Sequence, residues 1–215
     1  MTELYINQKL NQLVELDFDD MSSNPLEDVD DSIKFFIESQ KVVNDLIDNL
    51  FDGNSEAYQA EHDKYNNASD LFAGLNKIAK KQGMLIYPIA KYEHSLVNYY
   101  LGTDEGWDCG TVGFVLVDIK QAKENYGFDS KAKIENYLNS VLEAYTDYVN
   151  GYVYSAITYE LNSKGEEEAE LDCYGDIPAD NANIKGLFDL SLLDGELKNW
   201  KEAEEQVQTS YIPAE

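Results

Sequence analysis

The sequence predicts an α+β protein: a mostly antiparallel sheet with a helical hairpin inserted into it and further helices flanking it. Three observations lead there. Two short β-prone stretches, one of them alternating, occur near the N-terminus and the texture turns β-rich again from Met84 onward, apolar residues between Asp31 and Lys81 recur at helical spacing, and strands and helices come in runs. The 215 residues, 43% of them hydrophobic and 12% aromatic, suffice for a sizeable core, so the chain is read as one domain over 1–215 with 31–83 as a helical subdomain.

Leu4 to Ile6 and Leu13 to Phe18 are β-prone, the second setting Val14, Leu16 and Phe18 against Glu15, Asp17 and Asp19. From Asp31 or Ser32 as N-cap, Ile33, Phe36, Ile37, Val43, Leu46, Ile47 and Leu50 predict a helix that stops at Gly53. A second helix is expected from about Ser55 to Lys81, completing the hairpin. Strands follow over Met84 to Ile89, Leu96 to Leu101 and Val112 to Ile119. A short helix then runs from Lys120 to Tyr126 before Gly127, and Ser130 caps a longer one reaching about Val149. Beyond Gly151, Tyr152 to Leu161 reads as a strand that turns through Asn162-Ser163-Lys164-Gly165 into an acidic return strand ending near Cys173. The chain closes with a short apolar segment, Leu187 to Leu193, and an amphipathic helix centred on Trp200.

The net charge is −26, from 42 Asp and Glu against 16 basic residues, every one of them Lys. Without Arg the chain lacks the planar fork that reads phosphate and guanine, and its charge opposes counterion release from DNA. Direct nucleic-acid binding is therefore not expected. The start, Met1-Thr2-Glu3-Leu4-Tyr5, has no basic or apolar leader character and no run reaches 18 apolar residues, so a cytoplasmic protein without a membrane span is expected. Cys109 and Cys173 form no CxxC pair, and are read as reduced thiols with neither disulfide nor zinc site.

Four segments carry a resemblance. Tyr87-Pro88-Ile89 with Tyr92-Glu93-His94-Ser95, then Trp107-Asp108-Cys109-Gly110-Thr111-Val112-Gly113, then Tyr145-Thr146-Asp147-Tyr148-Val149-Asn150-Gly151-Tyr152-Val153-Tyr154, and last Asp172-Cys173-Tyr174-Gly175, follow one another in order. Together they resemble a family of uncharacterised proteins from bacteriophages and mobile elements of Gram-positive bacteria. The family has Ser where this chain has Cys109, and a different segment where this chain has Asp31 to Gly83. The resemblance implies a phage or mobile-element setting, with anti-CRISPR or antirestriction membership as an expectation, and supplies no reaction.

His94, Asp108 and Cys109 can be drawn as a nucleophilic set, but no glycine-rich elbow or helix start follows Cys109, so no catalytic residue is assigned and the chain is read as a non-enzyme. The Glu15 to Asp31 block lacks the spacing and central glycine of a calcium loop, and Gly106, Gly110 and Gly113 lack the spacing of a phosphate cradle. No metal or cofactor is expected. What remains is the charge itself. A compact chain of this length is roughly 44 Å across, and the same length of duplex carries about 26 charges. The expectation is an inhibitor that mimics DNA on the nucleic-acid-binding surface of a basic host protein, such as a Cas nuclease or restriction enzyme. Its contact residues would be Asp17, Asp19, Asp20, Glu27, Asp28, Asp30, Glu166, Glu167, Glu168, Glu170 and Asp172. The alternatives are a phage accessory or adaptor protein, with Trp200, Ile33, Phe36 and Leu46 as packing or homodimer surfaces, and a Cys/His-dependent enzyme.

Overall fold

Residues 2–38, 41–104 and 106–203 are described by a computed structural model of the chain. In order, its strands are β1 Glu3–Asn7, β2 Gln12–Phe18, β3 Ile33–Ile37, β4 Met84–Glu93, β5 Val97–Leu101, β6 Cys109–Asp118, β7 Val153–Leu161, β8 Glu167–Pro178 and β9 Lys201–Glu202. Its α-helices are α1 Val42–Phe51, α2 Ser55–His62, α3 Ala68–Lys81, α4 Ile119–Tyr126, α5 Lys131–Asn150 and α6 Ile184–Asp189. The fold is α+β, with two antiparallel sheets in the orders β8-β7-β2-β1-β9 and β3-β6-β4-β5. Two compact units hold these sheets: residues 1–23 with 147–215, and residues 24–146.

In the first unit the alternation of β2 decides which side is core. Val14 and Leu16 lie on one face beside their cross-strand partners Tyr5, Thr158 and Ala156. That face is closed by Leu187 of α6 and by Trp200, whose indole N–H donates to the Asp194 carbonyl at 3.0 Å. The opposite face buries Leu4, Leu13 and Leu161, with Ile6 and Tyr159 against them.

In the second unit both faces of the sheet are covered, so Phe114 to Val117 of β6 form a continuous buried run. Ile33, Leu85, Tyr87, Ile89, Val115 and Val117 meet Ile134, Leu138 and Leu142 of α5 on one side. On the other, Ile86, Phe114 and Leu116 meet Leu46 and Leu50 of α1 and Leu75 and Ala79 of α3. Gly127 ends α4 in the left-handed region with φ 68°, its N–H donating to Lys123 O at 3.0 Å, as its sequence position predicts.

Three elements differ from the sequence reading. Ile33–Ile37 is a strand where a helix start is expected, and Asp31 and Ser32 cap no helix. The spacing of Ile33, Phe36 and Ile37 fits a helix, but Phe35 and Ile37 pack partly on one side of this edge strand and Phe36 on the other, which blurs the alternation, and pairing with β6 decides the matter. The second helix of the expected hairpin is two helices, broken before Asn67, whose side chain accepts from Asp70 N at 2.8 Å and starts α3. The helix expected around Trp200 is instead a 3₁₀ turn over Leu197–Asn199 followed by β9, with Trp200 buried at 6% exposure. Its expected continuation past residue 203 lies outside the described residues.

Gly113 sits where β3 crosses closest to β6, and a Cβ there would strike the Phe36 carbonyl oxygen. Gly113→Ala is expected to destabilise the chain by about 1–3 kcal/mol. Gly110→Ala, whose Cβ meets nothing within 4 Å, is expected to stay within about 0.5 kcal/mol. Urea titration followed by circular dichroism distinguishes the two.

Candidate functional site

The first unit carries the larger share of the charge, twenty-one Asp and Glu against five Lys. Register places part of it on one face. Glu15 of β2 is level with Ile157 of β7 and Cys173 of β8, and Asp17 is level with Ser155. Leu13, Tyr159 and Glu170 form the next row, and Leu161 with Glu167 the one beyond. Glu15, Asp17, Glu167 and Glu170 therefore share the face opposite the one sealed by Leu187 and Trp200. Tyr159 lies half-buried among them.

The electrostatics agree with that placement. Partial burial and then the charges of Glu167 and Asp17 push the Glu15 carboxyl above its usual range. Burial and then Glu15, Glu167 and Glu170 push the Tyr159 hydroxyl upward too. Asp17 is held low by the Thr2 hydroxyl, which donates at 2.8 Å, and by the Phe18 N–H, also at 2.8 Å. No lysine forms an ion pair with Glu15, Asp17, Glu167 or Glu170 among the described residues.

The other expected contact residues are placed differently. Asp19 accepts from Met21 N and Asp176 N, each at 3.0 Å, tying the end of β2 to β8. Asp20 follows it, exposed. Glu166 accepts from the Asn162 side chain at 2.7 Å and closes the β7–β8 turn. Glu168 is the unpaired residue of a bulge, exposed. Asp172 pairs with Thr158 and so belongs to the other face. Glu27, Asp28 and Asp30 are in the second unit. There Asp30 orders the turn into β3, accepting from Ser32 N at 2.9 Å and Asn125 Nδ2 at 2.7 Å, and the first of these bonds does most to lower its carboxyl.

Charge on β8 has a plain structural use. It is an edge strand of twelve residues, almost all exposed, and carboxylates along it oppose pairing with another chain. That use does not extend to Glu15 and Asp17. Strand β2 is paired on both sides, to β1 and β7, and has no open edge to guard.

The nucleophilic set is not assembled. His94 lies exposed in the β4–β5 turn, and no hydrogen bond joins it to Cys109 among the described residues. Desolvation and then the nearby Asp104 carboxylate push the Cys109 thiol above its usual range, away from the thiolate a nucleophile needs. Beside it is an open recess of about 370 Å³, lined by Glu38, Lys91, Glu93, Trp107, Asp108 and Cys109 among others. Lys91 is held there by Glu38 and Glu93, each at 2.7 Å. Partial burial alone would raise the Glu38 carboxyl, but bonds from Lys91 and Tyr99 outweigh it and hold Glu38 low. Among the described residues no His, Cys, Asp and Glu side chains gather as a metal-holding group, and no helix is long and apolar enough to cross a membrane.

No known protein family, no curated protein and no solved structure matches this chain.

Because the raised carboxyl of Glu15 charges at a cost to the fold, Glu15→Gln is expected to raise the melting temperature at pH 7. A raised acid destabilises above its folded pKa and is neutral in both states below its unfolded one. The gain should therefore shrink as the pH falls toward about 4, as differential scanning calorimetry across that range will show.

Proposed function

We propose that this protein is a non-enzymatic inhibitor of a DNA-targeting defence protein, a Cas nuclease or restriction enzyme, and that it acts as a DNA mimic on that protein's basic channel. The observation that carries the reading is the pair Glu15 and Asp17, on a strand with no edge to protect, facing the same way as Glu167 and Glu170, with no lysine ion-paired to any of them among the described residues. Keeping like charges together at a cost to stability is a pattern of binding surfaces.

The spacing favours it as well. Strands lie about 4.8 Å apart, so the carboxylates of β2 and β8, with β7 between, form two rows about 10 Å apart. Duplex grooves are bounded by phosphate rows on that scale, with widths of about 6 and 12 Å. The absence of Arg and the net charge of −26 keep the chain itself off nucleic acid, and the resemblance to phage and mobile-element proteins fits the setting.

The test is inhibition of DNA cleavage by a guide-loaded Cas9 and by a restriction enzyme. Inhibition of the target is expected to weaken about tenfold or more between 50 and 200 mM salt. The double change Glu167→Lys with Glu170→Lys, on the exposed edge strand, is expected to abolish it while the melting temperature holds or rises. Inhibition unchanged by both salt and charge reversal would overturn the reading.

A further inference from the structure

Trp107 is 100% exposed, while the chain's other tryptophan, Trp200, is 6% exposed. Full exposure of the largest apolar side chain is uncommon in a folded protein, and tryptophan is the residue most enriched among the anchors of protein interfaces. Its loop is not loose strand-end chain. The Tyr100 hydroxyl donates to Asp104 at 2.9 Å, the Gly106 N–H donates to Asp104 at 3.0 Å, and the Glu93 N–H donates to the Asp108 carbonyl at 2.9 Å. The backbone is thus tied on both sides of a fully exposed indole that lines the open recess beside Cys109.

Trp107 does not stand alone. Tyr92, paired with Cys109, is 40% exposed, and Leu96, whose carbonyl accepts from His94 N, is 49% exposed. These apolar groups occupy one end of the four-stranded sheet, where the β4–β5 turn meets the loop after β5. The surrounding charge is acidic: Glu38, Glu93, Asp104 and Asp108 against Lys91, which Glu38 and Glu93 already hold.

From this we infer that the end of the second unit's sheet is a protein-docking point, at which Trp107 enters an apolar pocket rimmed by Lys or Arg on a basic partner. Charge complementarity names the occupant. A second copy would bring two acidic tips together, and a nucleic acid stacked on the indole or an anionic membrane would meet the same repulsion. The inference rests on the reading above for the basic character of the partner, and places a contact that the acidic sheet face does not supply.

The experiment uses the full chain. With p-benzoylphenylalanine in place of Trp107, irradiation in a bacterial extract is expected to give one discrete adduct with a basic protein. The same probe in place of Lys77, exposed on the solvent side of α3, is expected to give none. The partner so identified is then purified and titrated. Trp107→Ala should weaken binding roughly 30-fold or more and Trp107→Phe should restore part of it. Trp107→Ala is expected to keep the melting temperature of the parent chain, followed by far-ultraviolet circular dichroism, so that weaker binding is not a loss of fold. An adduct with a second copy, with lipid or with nucleic acid, no position-specific adduct, or equal affinity of Trp107→Ala would each overturn the inference. If Trp107→Ala binds normally while the Glu167→Lys, Glu170→Lys variant does not, the anchor fails and the mimic stands. The converse pattern leaves the anchor and removes the mimic.

Discussion

Strand β2 carries two opposed demands within four residues. Val14 and Leu16 are at 0% and 2% exposure and close the core against Tyr5, Ala156, Leu187 and Trp200. Glu15 and Asp17 alternate with them and emerge on the other face. The pleat makes the two sets inseparable: a slip of one residue would bury both carboxylates and expose the core. The register of β2 against β1 and β7 therefore fixes the core and the acidic face in a single choice, and everything in the first unit follows from it.

The repulsion on that face is tolerated because the apolar side is firmly held. Burial of Val14, Leu16, Ala156, Ile177, Leu187 and Trp200 is a favourable contribution that scales with area, whereas partly solvated carboxylates repel one another weakly. Hydrogen bonds absorb part of the remainder. Thr2 and the Phe18 N–H both donate to Asp17, and Asp19 accepts two backbone N–H groups, so these carboxylates also organise the backbone around them. Among the described residues Glu15 has no such bond to lower it, and burial with the charges of Glu167 and Asp17 displaces its carboxyl upward. The two neighbours on one strand differ in this respect because one sits between donors and the other between acids.

Alternation makes β2 legible in the sequence, the turn through Asn162-Ser163-Lys164-Gly165 makes the β7–β8 hairpin legible, and glycine with a capping residue makes α4 and α5 legible. Where apolar side chains fall on both faces of a strand the alternation is lost, which is why Ile33–Ile37, with Phe35 and Phe36 side by side, reads as helix and folds as β3. Trp200 failed for a related reason: a buried aromatic among charged residues resembles an amphipathic helix until β9 pairs with β1. The acidic blocks are visible in the sequence, but the pairing of β2 with β7 that brings Glu15 within reach of Glu167 is not. The irregularities of β8 were not visible. Its bulges turn Asp172 to the other face and leave Glu168 unpaired, while Asn162 draws Glu166 into the turn. Trp107 stands out in the sequence only as part of a resembling segment, because full exposure is a property of the folded loop and leaves no mark on composition.

Charge and aromatic surface do different work in association. A net charge of −26 acts over a Debye length of about 8 Å at physiological salt, raising the rate of encounter with a basic surface and offering little discrimination among such surfaces. Discrimination comes from short-range fit, and its signature is slow dissociation. A purely acidic protein would bind many basic proteins briefly, including the abundant ones that handle nucleic acid in any cell. On the proposed reading, the exposed indole of Trp107, on a loop tied by hydrogen bonds at Asp104 and Asp108, would supply the missing element, since only a partner with a matching apolar pocket gains from burying it. A fixed exposed tryptophan is thus what an acidic binder needs to prefer one basic surface over the rest.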